Sequence, residues 1–180
     1  LSQAEHGTDS QVILVSTSKV LIDEVEAAIQ SQLEVLPRKA IAEKAIANSK
    51  LIYVENDKIA LELIDEYGPE HFIICTKDED FYVNNIGNAG SVFIGNYTPE
   101  SAGDYASGTN HTLPTNGYAK NYSGVNLDSF TKSMTFQKIS EKGIQNIGNA
   151  IEVMAEAEGL QAHKNAVTLR LATIKDLKGF

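Results

Sequence analysis

The sequence predicts an α/β fold: a parallel-sheet, doubly wound (Rossmann-like) domain with a long functional loop and a helical C-terminal tail. Three observations support this. Short apolar runs alternate with helical patterns, as parallel strands covered on both faces do. Between Gly95 and Asn126 periodicity lapses, while five of the 13 glycines and two of the four prolines accumulate there. Two amphipathic stretches then occupy the remainder of the chain.

QVILV (Gln11–Val15) is a β-branched apolar run of strand length. Leu21, Val25, Ala28, Ile29, Leu33 and Leu36 then fall on one helical stripe, with Thr17 or Ser18 available as its cap. Pro37 interrupts this helix, and RKAIAEKAIANS resumes as a second one. LIYV (Leu51–Val54) predicts the next strand, and Asp57–Tyr67 a helix stopped by Gly68 and Pro69. FIIC (Phe72–Cys75) predicts a third strand, Asp78–Ile86 a short helix, and SVFIG (Ser91–Gly95) a fourth strand. The stretch from Gly95 to Asn126 is too long for a plain connection. Its Tyr97, Tyr105, Tyr118 and Tyr122 argue for an ordered, functional loop, since disordered segments are poor in aromatics. MTFQKIS (Met134–Ser140) is expected as a further strand, followed by helices over Glu141–Ala157 and Gln161–Leu177, broken near Gly159. The expected organisation is an α/β domain over residues 1–125 and a strand-helix-helix segment over 126–180 that forms a dimer.

Composition narrows the function classes. Hydrophobic residues make up 42% and charged residues 22%, as in ordinary globular proteins. A net charge of −9 without a basic face disfavours nucleic acid as a partner. The single cysteine, Cys75, cannot form an internal disulfide, which suits a reducing cytoplasm. No apolar run reaches membrane-spanning length. The chain opens on LSQAEHG, without Met and with polar chemistry from its third residue, as expected of a piece of something longer. Neither GxGxxG nor GxxxxGK[ST] is present, so no cofactor-binding nucleotide fingerprint is found.

The four histidines, His6, His71, His111 and His163, each lie within seven residues of a carboxylate. The neighbours are Glu5, Glu70, Asp104 and Glu158. All four histidines fall at loops or element ends, where ligands and catalysts are commonly presented. Taken singly, such histidines are more often surface or capping residues. No pair shows the His-x3-His spacing of a helical zinc site, and there is no cysteine cluster, so spacing alone favours scattered roles over a metal site. In YGPEHF, the helix-ending Gly68 and Pro69 fix Glu70 and His71 at the lip of a strand. An adjacent carboxylate and imidazole there can share acid and base work. In the plainer alternative, Glu70 caps a turn and His71 is solvated.

SQAEHG, YGPEH, AGSVFIG, TPESAGDYASGTNHTLPT and HKNAVTLR together resemble the histidinol dehydrogenase family. The blocks follow the family's order and spacing, and Thr98–Thr115 is the most distinctive of them. The resemblance covers essentially all 180 residues, as the C-terminal part of a family enzyme more than twice as long. It implies a cytoplasmic zinc enzyme of histidine biosynthesis. Such an enzyme carries out the NAD-linked, four-electron oxidation of L-histidinol through histidinal to L-histidine. By resemblance, one zinc per site is held by Gln3, His6, Asp104 and His163, and these ligands also face the substrate. Glu70 and His71 become the catalytic pair, His71 taking the hydroxyl proton and Glu70 activating the water that attacks the aldehyde. His111 and Glu158 help hold the substrate. The enzyme is implied to be a homodimer in which Glu158 and His163 complete the partner's site. The family's NAD-binding portion lies upstream of SQAEH, so this piece alone is expected to bind NAD poorly and turn over little. The alternative is a non-catalytic metal- or imidazole-binding module on the same framework. A zinc hydrolase using Glu70 is a weaker one. Retention of Glu70, His71 and all four ligand candidates argues against a decayed module.

Overall fold

The apolar runs become the strands of a computed structural model that describes residues 1–178. β1 (Ile13–Ser16) and β2 (Lys50–Tyr53) pair in parallel, Ile13 beside Lys50 and Ser16 beside Tyr53. Their crossover is made of two helices, α1 (Lys19–Leu33) and α2 (Lys39–Ala47). Of the two expected caps for α1, Ser18 serves: its Oγ accepts the Leu21 N–H at 3.3 Å. α3 (Asp57–Tyr67) starts where Asn56 Oδ1 accepts the Ile59 N–H, and stops at Gly68 with φ +63°. That left-handed conformation costs glycine nothing, which is why the helix ends there. β3 (His71–Ile74), α4 (Glu79–Asn85) and β4 (Ser91–Ile94) follow, with β3 and β4 parallel and His71 beside Ser91.

The core of this region gathers Val54, Ala60, Phe72, Ile74 and Tyr82, with Val15, Ile52 and Ile64 packed on them. Ile74 is 1% exposed, and burial of a side chain of that size contributes about 1.5–3 kcal/mol. A second cluster joins Ala4 to Leu33, Ala42 and Ala45. It fastens the N-terminal segment onto α1 and α2.

The structure departs from expectation in three places. The expected continuous, doubly wound Rossmann-like sheet is instead two two-stranded parallel ribbons, β1-β2 and β3-β4. Each strand is only four residues long, and the ribbons meet through side chains, Val15 and Ile52 against the cluster of Phe72 and Ile74. The Gly95–Asn126 stretch is not wholly loop: α5 (Glu100–Tyr105) lies inside it, entered from Pro99 in an extended conformation. Met134–Ser140 is not a strand. Its alternating Met134 and Phe136 are exposed, and no neighbouring strand pairs with them among the described residues.

The chain divides into two compact units, the first being Leu1–Thr131 and the second starting at Lys132. The second holds α6 (Glu141–Ala157) and α7 (Gln161–Lys178), packed on each other. At the turn between them, Gly159 (φ +73°) donates to Glu156 O and Leu160 donates to Ala155 O. Those two bonds form a Schellman cap, and Gly159 is what permits it. Gly148 lets the helices approach, since a β-carbon there would stand 2.8 Å from Leu171 Cδ1.

Candidate active site

His71 is the first residue of β3, and Glu70 occupies the bend before it. Gly68 and Pro69 are both buried, so the helix stop also fixes this edge. The next strand holds it: Gly90 N–H donates to Pro69 O and Ser91 N–H donates to Glu70 O, both at 2.9 Å. Asp65 supports the approach to that strand, its Oδ1 accepting the N–H groups of Gly87 and Asn88 at 2.9 and 3.0 Å. Glu70 and His71 are each half-buried. The His71 ring faces Phe93 at 5.7 Å between centroids.

Asp104 is carried by α5, half-buried beside the buried Gly103. Gly103 lies directly against the Phe93 ring, on the face of the β3-β4 ribbon from which His71 projects. His71 and the backbone of α5 thus both adjoin the Phe93 ring. That face begins at the N-terminal edge of β3, whereas dinucleotides in open α/β sheets sit beyond the C-terminal ends.

Gln3 and His6 occupy successive turns before β1, tied by His6 N–H to Gln3 O at 3.2 Å. Ala4, between them, is fully buried and anchors the turn. Tyr67 Oη donates to Gln11 Oε1 at 2.9 Å, joining the approach to β1 with the end of α3 that leads into Glu70. His111 stands exposed beside an Asx turn in which Asn110 Oδ1 accepts the Thr112 N–H at 2.7 Å. Glu158 caps α6, and His163 lies in the first turn of α7, both exposed and both in the second unit.

Two buried side-chain nitrogens lack a hydrogen-bond partner among the described residues: Gln3 Nε2 and His71 Nε2. Orphaned buried polar atoms are rare, and they concentrate where a ligand or catalytic partner belongs. Gln3 fits a cation in chemistry. A half-turn of its amide puts Oε1, a metal donor, where Nε2 stands. Glutamine and aspartate oxygens with imidazole nitrogens form a donor set that zinc accepts. No three His, Cys, Asp or Glu side chains gather as a metal cluster among the described residues. An open cleft of about 660 Å³, lined by Gly90, Ser91, Thr109, Asn110, Gly124 and Phe130 among others, adjoins the start of β4. Its size is that of small-molecule sites.

Sequence reasoning missed Gly90, Phe93 and Gly103, the residues that hold the pair and α5 in place. Each lay in a quoted motif, but only register and close approach reveal what it touches.

A family profile described as histidinol dehydrogenase matches residues 1–171. The histidinol dehydrogenase of Bacteroides fragilis (strain YCH46) is 62% identical over 175 residues, covering 97% of this chain and 41% of the relative. That of Haemophilus influenzae (strain 86-028NP) is 52% identical over 174 residues, with the same two coverages, 97% and 41%. The crystal structure of histidinol dehydrogenase from Elizabethkingia anophelis matches with a TM-score of 0.91 at 54% identity, over 97% of this chain and 40% of that one. The chain therefore spans about two fifths of the length of the curated relatives it matches.

Proposed function

This chain belongs to the histidinol dehydrogenase family, and from that premise we propose that it forms the catalytic and zinc-binding part of an enzyme oxidising L-histidinol through histidinal to L-histidine. The observation that carries the reading is the pair of orphaned buried nitrogens, Gln3 Nε2 and His71 Nε2, since both belong to the expected site.

In this reading Gln3, His6 and Asp104 hold the zinc with His163 of a second copy. Zinc bound by these residues would supply a template for positioning the substrate. His71, stacked on Phe93 with Nε2 turned into the buried space, receives the proton of the substrate hydroxyl as hydride leaves the carbon for NAD. In the second oxidation, Glu70 removes a proton from water as that water adds to the aldehyde carbon, and the hydrate then passes its hydride to a second NAD. His111 and the partner's Glu158 steady the substrate. The homodimer is favoured by apolar side chains left exposed on the helical hairpin, Ile147, Met154 and Leu169 among them. No described helix is long and apolar enough to cross a membrane. A biosynthetic role in the cytoplasm accords with that. NAD is bound mainly by parts of the family enzyme outside this chain.

The test uses the complete zinc-loaded enzyme. His6→Ala and Asp104→Ala should each weaken zinc binding at least about tenfold in calorimetric titration. Glu70→Gln should keep zinc affinity and slow oxidation of histidinal by about 10²–10⁴-fold, the usual weight of general-base catalysis. Unchanged zinc affinity in both ligand variants removes the metal assignment. Undiminished histidinal oxidation in Glu70→Gln removes Glu70 as the base that activates water.

A further inference from the structure

The strand that presents His71 and the helix that carries Asp104 meet through one side chain. Phe93 is 4% exposed and lies in β4 two residues beyond Ser91, the register partner of His71, so both rings project from one face. The ring centroids are 5.7 Å apart with planes inclined by 31°, within the range of attractive aromatic contact. His71 Nε2 has no hydrogen-bond partner among the described residues, and the Phe93 ring is an aromatic neighbour of the imidazole. On the other side, a β-carbon at Gly103 would come within 2.7 Å of Phe93 Cε1 and 3.0 Å of Cζ. The α5 backbone thus rests on the ring itself, one residue before Asp104. Thr109 Oγ1 donates to Gly103 O at 3.1 Å and fastens the loop toward His111 to the same point.

We infer that Phe93 is a positioning residue whose ring spaces the His71 imidazole from the Asp104 carboxylate. This role rests on the catalytic His71 and metal-binding Asp104 proposed above. An aliphatic side chain of similar volume fills the space but offers no flat wall to either neighbour. A glycine is required at residue 103 because any side chain there drives the ring toward His71.

In the complete zinc-loaded enzyme, Phe93→Met keeps the buried apolar volume and removes the ring plane. Its kcat with histidinol should fall about 10- to 100-fold while KM changes less than about twofold, the signature of a misplaced reacting group. Val54→Ala, in the core, should lower the melting temperature without that fall. Gly103→Ala presses a methyl onto the ring and should lower both kcat and zinc affinity measured by calorimetry. Adding Phe93→Met relieves the pressure, so the double variant should exceed Gly103→Ala on both readouts. An unchanged kcat in Phe93→Met, or effects of the two substitutions that simply multiply, overturns the inference. Full turnover in His71→Asn would instead overturn the catalytic reading beneath it.

Discussion

At Gly90 a β-carbon would stand 2.5 Å from Glu70 O, nearer than real carbons approach, and its neighbours at Glu70 are backbone atoms with little freedom to yield. Gly90→Ala must therefore move the strand edge that presents Glu70 and His71. The expected cost is about 1–3 kcal/mol of stability, the scale of overpacking, together with a loss of kcat in the complete enzyme. Gly87→Ala is the matched comparison: its nearest contact, Asp65 Oδ1, lies at 3.6 Å, so its effect should stay within about 0.5 kcal/mol. Urea unfolding and steady-state kinetics of the two variants separate them, and equal behaviour would defeat the steric argument. At this scale Glu70 and His71 were legible, because a helix-ending Gly-Pro places them at a strand edge. Gly90, Phe93 and Gly103 were not. What they touch is set by cross-strand register and by the packing of α5, neither of which spacing along the chain encodes.

Elements were legible where caps accompany periodicity. Ser18, Asn56, Asp78 and Ser140 each accept a backbone N–H at a helix start, and Gly68 and Gly159 end helices with positive φ. α5 escaped notice because six residues hold less than two helical turns, too few to display a stripe. Met134–Ser140 misled for the opposite reason: alternation marks a strand only where a neighbour completes the ladder. A contact between elements supplies a pH-dependent test. Tyr82 Oη of α4 donates to Asp57 Oδ1 in the first turn of α3 at 2.8 Å. Burial, then the hydrogen bond to Asp57 and its charge, raise the Tyr82 pKa well above the ordinary 10.0. The folded state thus holds the phenolic proton more tightly than the unfolded chain does. That contribution is complete below pH 10 and is lost as pH climbs above it toward the raised value. Melting temperature should therefore fall more steeply above pH 10 in the native sequence than in Tyr82→Phe. Parallel curves would show that Tyr82 ionises as freely folded as unfolded.

For the whole molecule, the decisive feature is apolar surface left uncovered on each unit taken by itself. In the first, Ile73, Val92 and Ile94 are 47%, 37% and 41% exposed on a parallel ribbon, a structure normally covered on both faces. In the second, Met154 and Leu169 are 65% and 68% exposed on helices that already share one packed face. Such surface marks contact with other protein, and the matched relatives are more than twice as long as this chain, which covers 41% of their length. No glycine-rich nucleotide loop occurs in the 180 residues. Two outcomes are therefore expected of the 180-residue chain prepared alone. Sedimentation should reveal species heavier than the 19.5 kDa monomer, and Leu169→Lys should shift them toward it, since a charge at an apolar contact must be desolvated. Mixed with zinc, histidinol and NAD, the same preparation should form no NADH at a rate comparable with the complete enzyme. If it instead sediments as a monomer, the exposed helix faces are not contact surfaces. If it reduces NAD at the complete enzyme's rate, the nucleotide is bound within these residues, and the division of labour proposed between this part and the remainder of the enzyme is wrong.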